Sequence, residues 1–260
     1  MKLIKLTFCS ILLSISLGLH AQTSGSQNYA FQPDEKVTYS VFYTVMGMYV
    51  NAGTATLTTS MEKLDNTDVY HVVGEGKTNP KYDWMFKVRD RYESYFHADN
   101  LTPLKFVREV SEGNYKKNEY VTFNKQENTA RTSSGVMNVP DNVQDVISIL
   151  YFARNIDYNQ YKKGDKIPFN MFLDNKVYNI YVIYLGKENI RTKYGKFKAI
   201  KLKPLLVKGN VFDDEGKMTV WVTDDSNHIP VRAESPVSVG SIKVDLTQFE
   251  NLRYPLAILR

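Results

Sequence analysis

The residues best able to do chemistry are concentrated in WVTDDSNHIPVR, Trp221 to Arg232, where Asp224, Asp225, Asn227 and His228 fall within five positions. Two carboxylates and an imidazole this close could hold a divalent cation or pass a proton. The flanks point elsewhere. KMTVWVT alternates ahead of the cluster and IPVRAES resumes strand character after it, so the acids lie between two strands. Asp and Asn are favoured in such turns because their side chains bond their own backbone and tolerate left-handed φ. A calcium loop needs acids at alternate positions and a glycine, and DDSNHI has neither. The stretch is read as a hairpin tip, with Pro230 opening the second strand, where its missing N–H is tolerated.

Other constellations are weaker. GEGKT, Gly74 to Thr78, resembles the end of a phosphate loop, but His71 stands where the leading glycine belongs and NPKYDW cannot promptly start the helix that must follow. His71, His97 and His228 have no partner histidine at helical spacing and no H-E-x-x-H frame. No G-x-S-x-G is present to place a serine nucleophile on a sharp turn. No catalytic residue, metal ligand or cofactor site is assigned.

The elements around these residues are mostly strands. In KVTYSVFYTV, Val37, Tyr39, Val41, Tyr43 and Val45 share one face, the period-two pattern of a half-buried strand. YDWMFKVRDRYESYF reads as one long strand with Trp84, Phe86, Val88, Tyr92 and Phe96 on one face. KVYNIYVIYLG is apolar on both faces, which predicts a central strand. About thirteen such segments, separated by turn signals every 8–12 residues, predict an all-β fold: a strongly curved antiparallel half-barrel or flattened barrel. One segment has a different period. In PDNVQDVISILYFARNI, Val143, Val146, Ile147, Leu150 and Tyr151 fall at spacings of three and four, predicting a helix near 141–155, capped by Asp141 or Asn142 and packed on the sheet.

At the N-terminus, Lys2 and Lys5 precede an apolar run from Leu6 to Leu19 that is too short to span a bilayer, and LHA ends in a small residue. Residues 1–21 are therefore read as a secretory signal peptide cleaved near Ala21, with a retained anchor as the alternative. Cys9 is the chain's one cysteine and leaves with the leader, so the mature chain is expected to have no disulfide and no thiol chemistry. Loss of Lys2 and Lys5 takes Lys+Arg from 33 to 31 against 28 acids, a net charge of +3. These cations are dispersed among acids, which argues against nucleic acid and leaves weak attraction to an anionic membrane. Residues 22–32 are expected to be a flexible lead-in, 33–250 a single β-rich domain without a transmembrane segment, and 251–260 a tail.

Several stretches together resemble a known exported bacterial family, that of domain of unknown function 3108. They are DVISILYFAR with Asp145, Ser148, Tyr151 and Arg154; GKENIRTKYGKFKAIKLKP with Gly186, Glu188, Gly195 and Pro204; VWVTDDSNHIPVR with VGSIKVDL; and KVTYSVFYTVMGMYVNAGTATL. The family name implies no activity. VWVTDDSNHIPVR with VGSIKVDL is also similar, more loosely, to periplasmic lipoprotein carriers, which implies a curved sheet closed by helices around an apolar cavity.

The expected function follows from these readings. The chain is read as a non-catalytic, exported, periplasmic or outer-membrane-associated binder of a lipid or another apolar or amphipathic envelope molecule. Trp84, Phe86, Tyr151, Tyr181 and Trp221 are the candidate lining residues. Asp145, Arg154, Glu188, Gly195 and Pro230 are assigned to structure, with Arg154 ending the helix and pairing with a carboxylate. A docking protein for another envelope component is the alternative. An enzyme on polysaccharide or lipid is the third reading and would need two close carboxylates in a cleft or a buried histidine–acid pair.

Overall fold

The computed structural model describes residues 27–45, 48–205, 218–237 and 239–259. The leader and the first part of the lead-in lie outside these residues. The chain forms β1 (Lys36–Val45), β2 (Met48–Leu64), β3 (Thr67–Thr78), β4 (Arg89–His97), β5 (Pro103–Glu112) and β6 (Tyr115–Asn124). Next come β7 (Thr129–Thr132), β8 (Gly135–Asn138), β9 (Val143–Gln144) and α1 (Ser148–Arg154), the one α-helix among the described residues. The second half adds β10 (Lys166–Leu173), β11 (Lys176–Thr192), β12 (Gly195–Pro204), β13 (Thr219–Thr223), β14 (Pro230–Pro236), β15 (Ser241–Glu250) and β16 (Ile258–Leu259).

All sixteen strands belong to one curved sheet. Its order is β8-β7-β6-β5-β4-β3-β2-β1-β15-β14-β13-β12-β11-β10-β9, with β16 added to β12. Neighbours are antiparallel except β9 and β10, which run parallel. The strands beyond the expected thirteen are β8, β9 and β16, of four, two and two residues. Such stretches are too short to show a period.

No backbone ladder joins β8 to β9, so the sheet is open. Side chains bridge the gap. The turn between β10 and β11 carries Asp174, whose carboxylate binds Arg108 of β5 and Lys117 of β6, and whose N–H donates to Glu119 at 3.0 Å. Phe123 of β6 meets Phe172 of β10 edge-on at 5.9 Å. Burial alone would raise the Asp174 pKa, but the bonds from Lys117 and Arg108 hold it below the usual carboxylate range.

The core is built in three clusters. The first gathers Phe31, Tyr70, Phe96, Phe106 and Tyr151. The second gathers Val37, Tyr39, Phe197, Trp221 and Leu246. The third gathers Ile156, Tyr158, Ile167, Phe169 and Ile200. The helix links the first and third, because Tyr151 is buried in one while Phe152 packs against both. Close backbone approach is needed where β2 pairs with the end of β3: a Cβ on Gly53 would lie 2.3 Å from the Lys77 carbonyl oxygen.

Four local expectations need correction. The helix begins at Ser148, not near 141, because Val143 and Gln144 pair with Asn170 and Met171 as strand. Asp145 then turns the chain, its Oδ1 accepting from the N–H groups of Ile147 and Ser148, both at 2.8 Å. The long strand expected from Tyr82 to Phe96 begins only at Arg89. Pro80–Tyr82 forms a 3-10 turn; of the alternating residues that follow it, Trp84 and Phe86 make no strand pairing and Val88 makes only an isolated bridge to Glu112. β11 lies third from an end of the sheet rather than at its centre. Finally, the described part of the lead-in is anchored. Phe31 is fully buried and meets Tyr151 edge-on at 4.7 Å, and the Asn28 amide donates to Tyr70 Oη at 2.9 Å.

Candidate functional site

The cluster between Asp224 and His228 is the turn joining β13 to β14. Its polar groups are satisfied internally. Asp225 Oδ1 accepts from Thr223 Oγ1 at 2.8 Å and from Asn227 N at 2.9 Å, and Oδ2 accepts from Ala257 N at 3.1 Å. His228 sits at φ 45°, and its Nδ1–H donates to the Arg154 carbonyl at 2.7 Å. Burial holds the His228 pKa below the ordinary imidazole value. The buried Asn227 exchanges two bonds with the backbone of Tyr254, each 3.0 Å. The turn is thus a joint between helix, hairpin and C-terminal segment. Among the described residues, no group of three His, Cys, Asp or Glu is placed to hold a metal.

Arg154 projects from this joint into the core. Its guanidinium meets the fully buried Glu35 in a forked pair, 2.5 and 2.9 Å. Its remaining donors reach Asn227 O at 2.9 Å and Ala30 O at 3.2 Å, and the rings of Phe31 and Tyr151 flank it, each 5.3 Å away. Asp145 is fully buried and accepts from Ser94 Oγ at 2.6 Å, tying the helix entry to β4. Burial nevertheless dominates and pushes its carboxyl up to about 6. Glu188 accepts from the Trp221 indole at 2.7 Å and pairs with Lys201 at 3.1 Å. Gly195 opens β12 under Ile258 of β16, and Pro230 opens β14.

The five candidate lining residues are not brought to one place. Tyr151 is buried in the first core cluster, with its hydroxyl 2.9 Å from Thr59 Oγ1. Trp221 lies in the second cluster. Tyr181 is half-buried beneath Lys166, 4.4 Å from its ring centre. Trp84 and Phe86 lie on no inner strand; they are 83% and 52% exposed.

These two residues belong instead to an exposed apolar rim. Of fourteen exposed large apolar side chains among the described residues, seven lie in the adjacent turns at one end of the sheet. Met48 and Tyr49 start β2, Trp84, Met85 and Phe86 occupy the β3–β4 loop, Tyr115 starts β6, and Val239 lies between β14 and β15. Neighbouring turns are tied together. Asn79 N donates to Ala52 O at 2.8 Å, Gly113 N to Lys87 O at 2.8 Å, and the Tyr43 hydroxyl to Val239 O. The β3–β4 loop is itself held in shape. Arg89 forks onto Asp83 at 2.6 and 3.1 Å, and Thr78 Oγ1 donates to Asp83 at 2.7 Å. The Arg89 and Thr78 bonds hold the Asp83 carboxyl below its usual pKa. Sequence reasoning missed the rim because period-two alternation assigned Trp84 and Phe86 inward. The signal available was Pro80 beside Asn79, which starts a turn and ends the strand.

A histidine–acid arrangement also exists, on another part of the sheet. His71 Nδ1 lies 2.7 Å from Glu62 and Nε2 2.8 Å from Glu93, with the Tyr95 ring stacked on it at 4.0 Å. Both ring nitrogens are engaged by carboxylates, and Ser60, cross-strand from His71, donates to Glu62 and to the His71 carbonyl, so no ring nitrogen is aimed at its hydroxyl.

The sequence matches the family described as Protein of unknown function (DUF3108) over residues 38–247. The chain belongs to that family. Among solved structures, the chain is similar to a beta-barrel-like protein of domain of unknown function DUF1849 from Brucella abortus. That likeness has 9% identity and a TM-score of 0.57, and covers 85% of this chain and 99% of that one. At this identity it bears on fold alone, and it agrees with a barrel-like sheet. A putative exported protein with YmcC-like fold from Bacteroides fragilis is also similar, with 13% identity, a TM-score of 0.37, and 86% and 99% of the two chains covered. No curated protein matches the sequence. Within the described residues, no helix is long and apolar enough to cross a membrane.

Proposed function

We propose that this member of the DUF3108 family is an exported, non-catalytic binding protein of the cell envelope. It engages an amphipathic envelope molecule at the apolar rim rather than inside the sheet. The observation that supports this reading is the exposure of Trp84, Met85 and Phe86 on a loop pinned by the Asp83–Arg89 pair. Large apolar side chains clustered in water, on a loop whose backbone is held by its own bonds, mark an interaction surface. Tyr151 and Trp221, by contrast, spend their polar atoms on Thr59 and Glu188 within packed clusters.

Hydrogen–deuterium exchange tests the site. A soluble single-chain amphiphile, lysophosphatidylethanolamine below its micelle concentration, is expected to slow exchange in residues 48–52 and 80–88. Protection confined to the strands around Tyr151 and Trp221, or no protection, would overturn the reading.

A further inference from the structure

The rim carries charge as well as apolar surface, and its shape limits what it can meet. We infer that its partner is the surface of an anionic lipid bilayer, into which Trp84, Met85 and Phe86 insert while lysines contact the headgroups. This inference rests on the rim reading above and names the partner of that site.

Three features carry it. First, the residue types are those of a membrane interface. Trp84 and Tyr49 have amphipathic rings suited to headgroup depth, and Met85 and Phe86 supply fully apolar surface. Second, cations ring the loop. Lys81 and Lys87 flank Trp84–Phe86, and Lys116 stands on the neighbouring β6; all three are exposed, and none forms an ion pair among the described residues. The loop's one acid, Asp83, is neutralised by Arg89. Beside the loop lies an open depression of about 300 Å³ lined by three cations, Arg89, Lys116 and Lys117, against one acid, Glu109, with Ser111 and Asn118 beside them. Anionic headgroups are the complement of such a surface, each juxtamembrane lysine adding to the attraction.

Third, the apolar residues sit on four neighbouring turns at the end of one sheet, not in a groove. Such a row of apolar tips can take one amphiphile and is filled more completely by an extended, flat partner. The loop is also set to insert without rearrangement. Its backbone is fixed by bonds from Tyr82, Met85 and Phe86 N–H groups to Asn79 O and Tyr82 O, and the Phe86 ring covers Gly113, whose Cβ would stand 3.0 Å from it.

Trp84 reports the event directly, because Trp221, the other tryptophan, is buried. The full mature chain would be titrated with vesicles of one part phosphatidylglycerol to three parts phosphatidylethanolamine, and separately with phosphatidylcholine vesicles. The expected result is a blue shift of tryptophan emission with the anionic vesicles. Partitioning should be about a hundredfold stronger than with phosphatidylcholine at low salt, from three cations, and should fall as salt rises. Trp84→Ser with Phe86→Ser should abolish partitioning, and Lys81→Gln, Lys87→Gln and Lys116→Gln together should remove the preference for anionic vesicles. Equal partitioning into both vesicle types would overturn the inference. So would salt-independent self-association of the lipid-free protein that hides Trp84, which would assign the rim to a second copy. Failure on vesicles with exchange protection by lysophosphatidylethanolamine retained overturns only the bilayer; failure in both assays removes the rim reading as well.

Discussion

Glu35→Gln removes one half of the buried pair that joins the entry to β1 to the helix. Glu35 is fully buried and Arg154 is 6% exposed, so the guanidinium left behind has no water to turn to. It would keep Asn227 O and Ala30 O as acceptors and the rings of Phe31 and Tyr151 as neighbours, but no countercharge. Leaving a buried charge unpaired costs about 3–5 kcal/mol. With a urea slope of about 2–3 kcal/mol/M, the unfolding midpoint falls by about 1–2.5 M at unchanged slope. Arg154→Met should cost a similar amount, stranding the carboxylate. The double variant Glu35→Gln/Arg154→Met should lose much less than the two singles together, because neither charge then remains buried. Urea denaturation followed by circular dichroism at pH 7 reads all four proteins. A midpoint for Glu35→Gln close to that of the parent, or strict additivity in the double variant, would refute the reasoning.

Asp145 sets a pH dependence. Its carboxyl titrates at about 6 in the folded protein against an ordinary 3.8, so folding favours the protonated form. Stability from this group is fully present below pH 4 and is lost as pH rises through about 6. A shift of about two pKa units corresponds to about 3 kcal/mol. Buried His228, with its pKa lowered, acts in the opposite sense and costs stability as pH falls below about 6.5. Comparing Asp145→Asn with the parent between pH 4 and 7 cancels the histidine; the variant should gain relative to the parent as pH rises, and parallel curves would contradict the assignment. Phe31→Ala should cost about 3–5 kcal/mol in thermal or urea unfolding, as a core aromatic does, whereas a loss below about 1 kcal/mol would mean the lead-in is peripheral. Asp174→Ala should speed amide exchange in β10 and in β6 together, since its carboxylate binds Arg108 and Lys117 across the open seam; exchange changed on one side only would contradict a seam.

The sequence was most legible where a physical rule leaves one choice. Alternation in β1 and β15 could only be strand, and the acids between β13 and β14 could only be turn once strands flanked them. Packing of Arg154 against a carboxylate was also readable in kind. Its partner was not, because Glu35 lies 119 residues away and nothing local marks it. Helix length failed for a related reason: Val143 and Gln144 fit a helical period, but β10 offers them a ladder, and tertiary pairing overrides local pattern. Trp84 and Phe86 failed because alternation says which side chains share a face, not whether the segment is paired at all. Asn79 and Pro80 held that information, and the apolar residues after them outweighed it.

We propose recognition at the rim and not in the sheet interior. Native mass spectrometry of residues 22–260 with lysophosphatidylethanolamine distinguishes the two, with Trp84→Ser/Phe86→Ser set beside Trp221→Phe. The expected result is a lipid adduct on the parent and on Trp221→Phe that disappears from Trp84→Ser/Phe86→Ser. An adduct that survives loss of both rim aromatics and disappears with Trp221→Phe would contradict it and return the ligand to the interior.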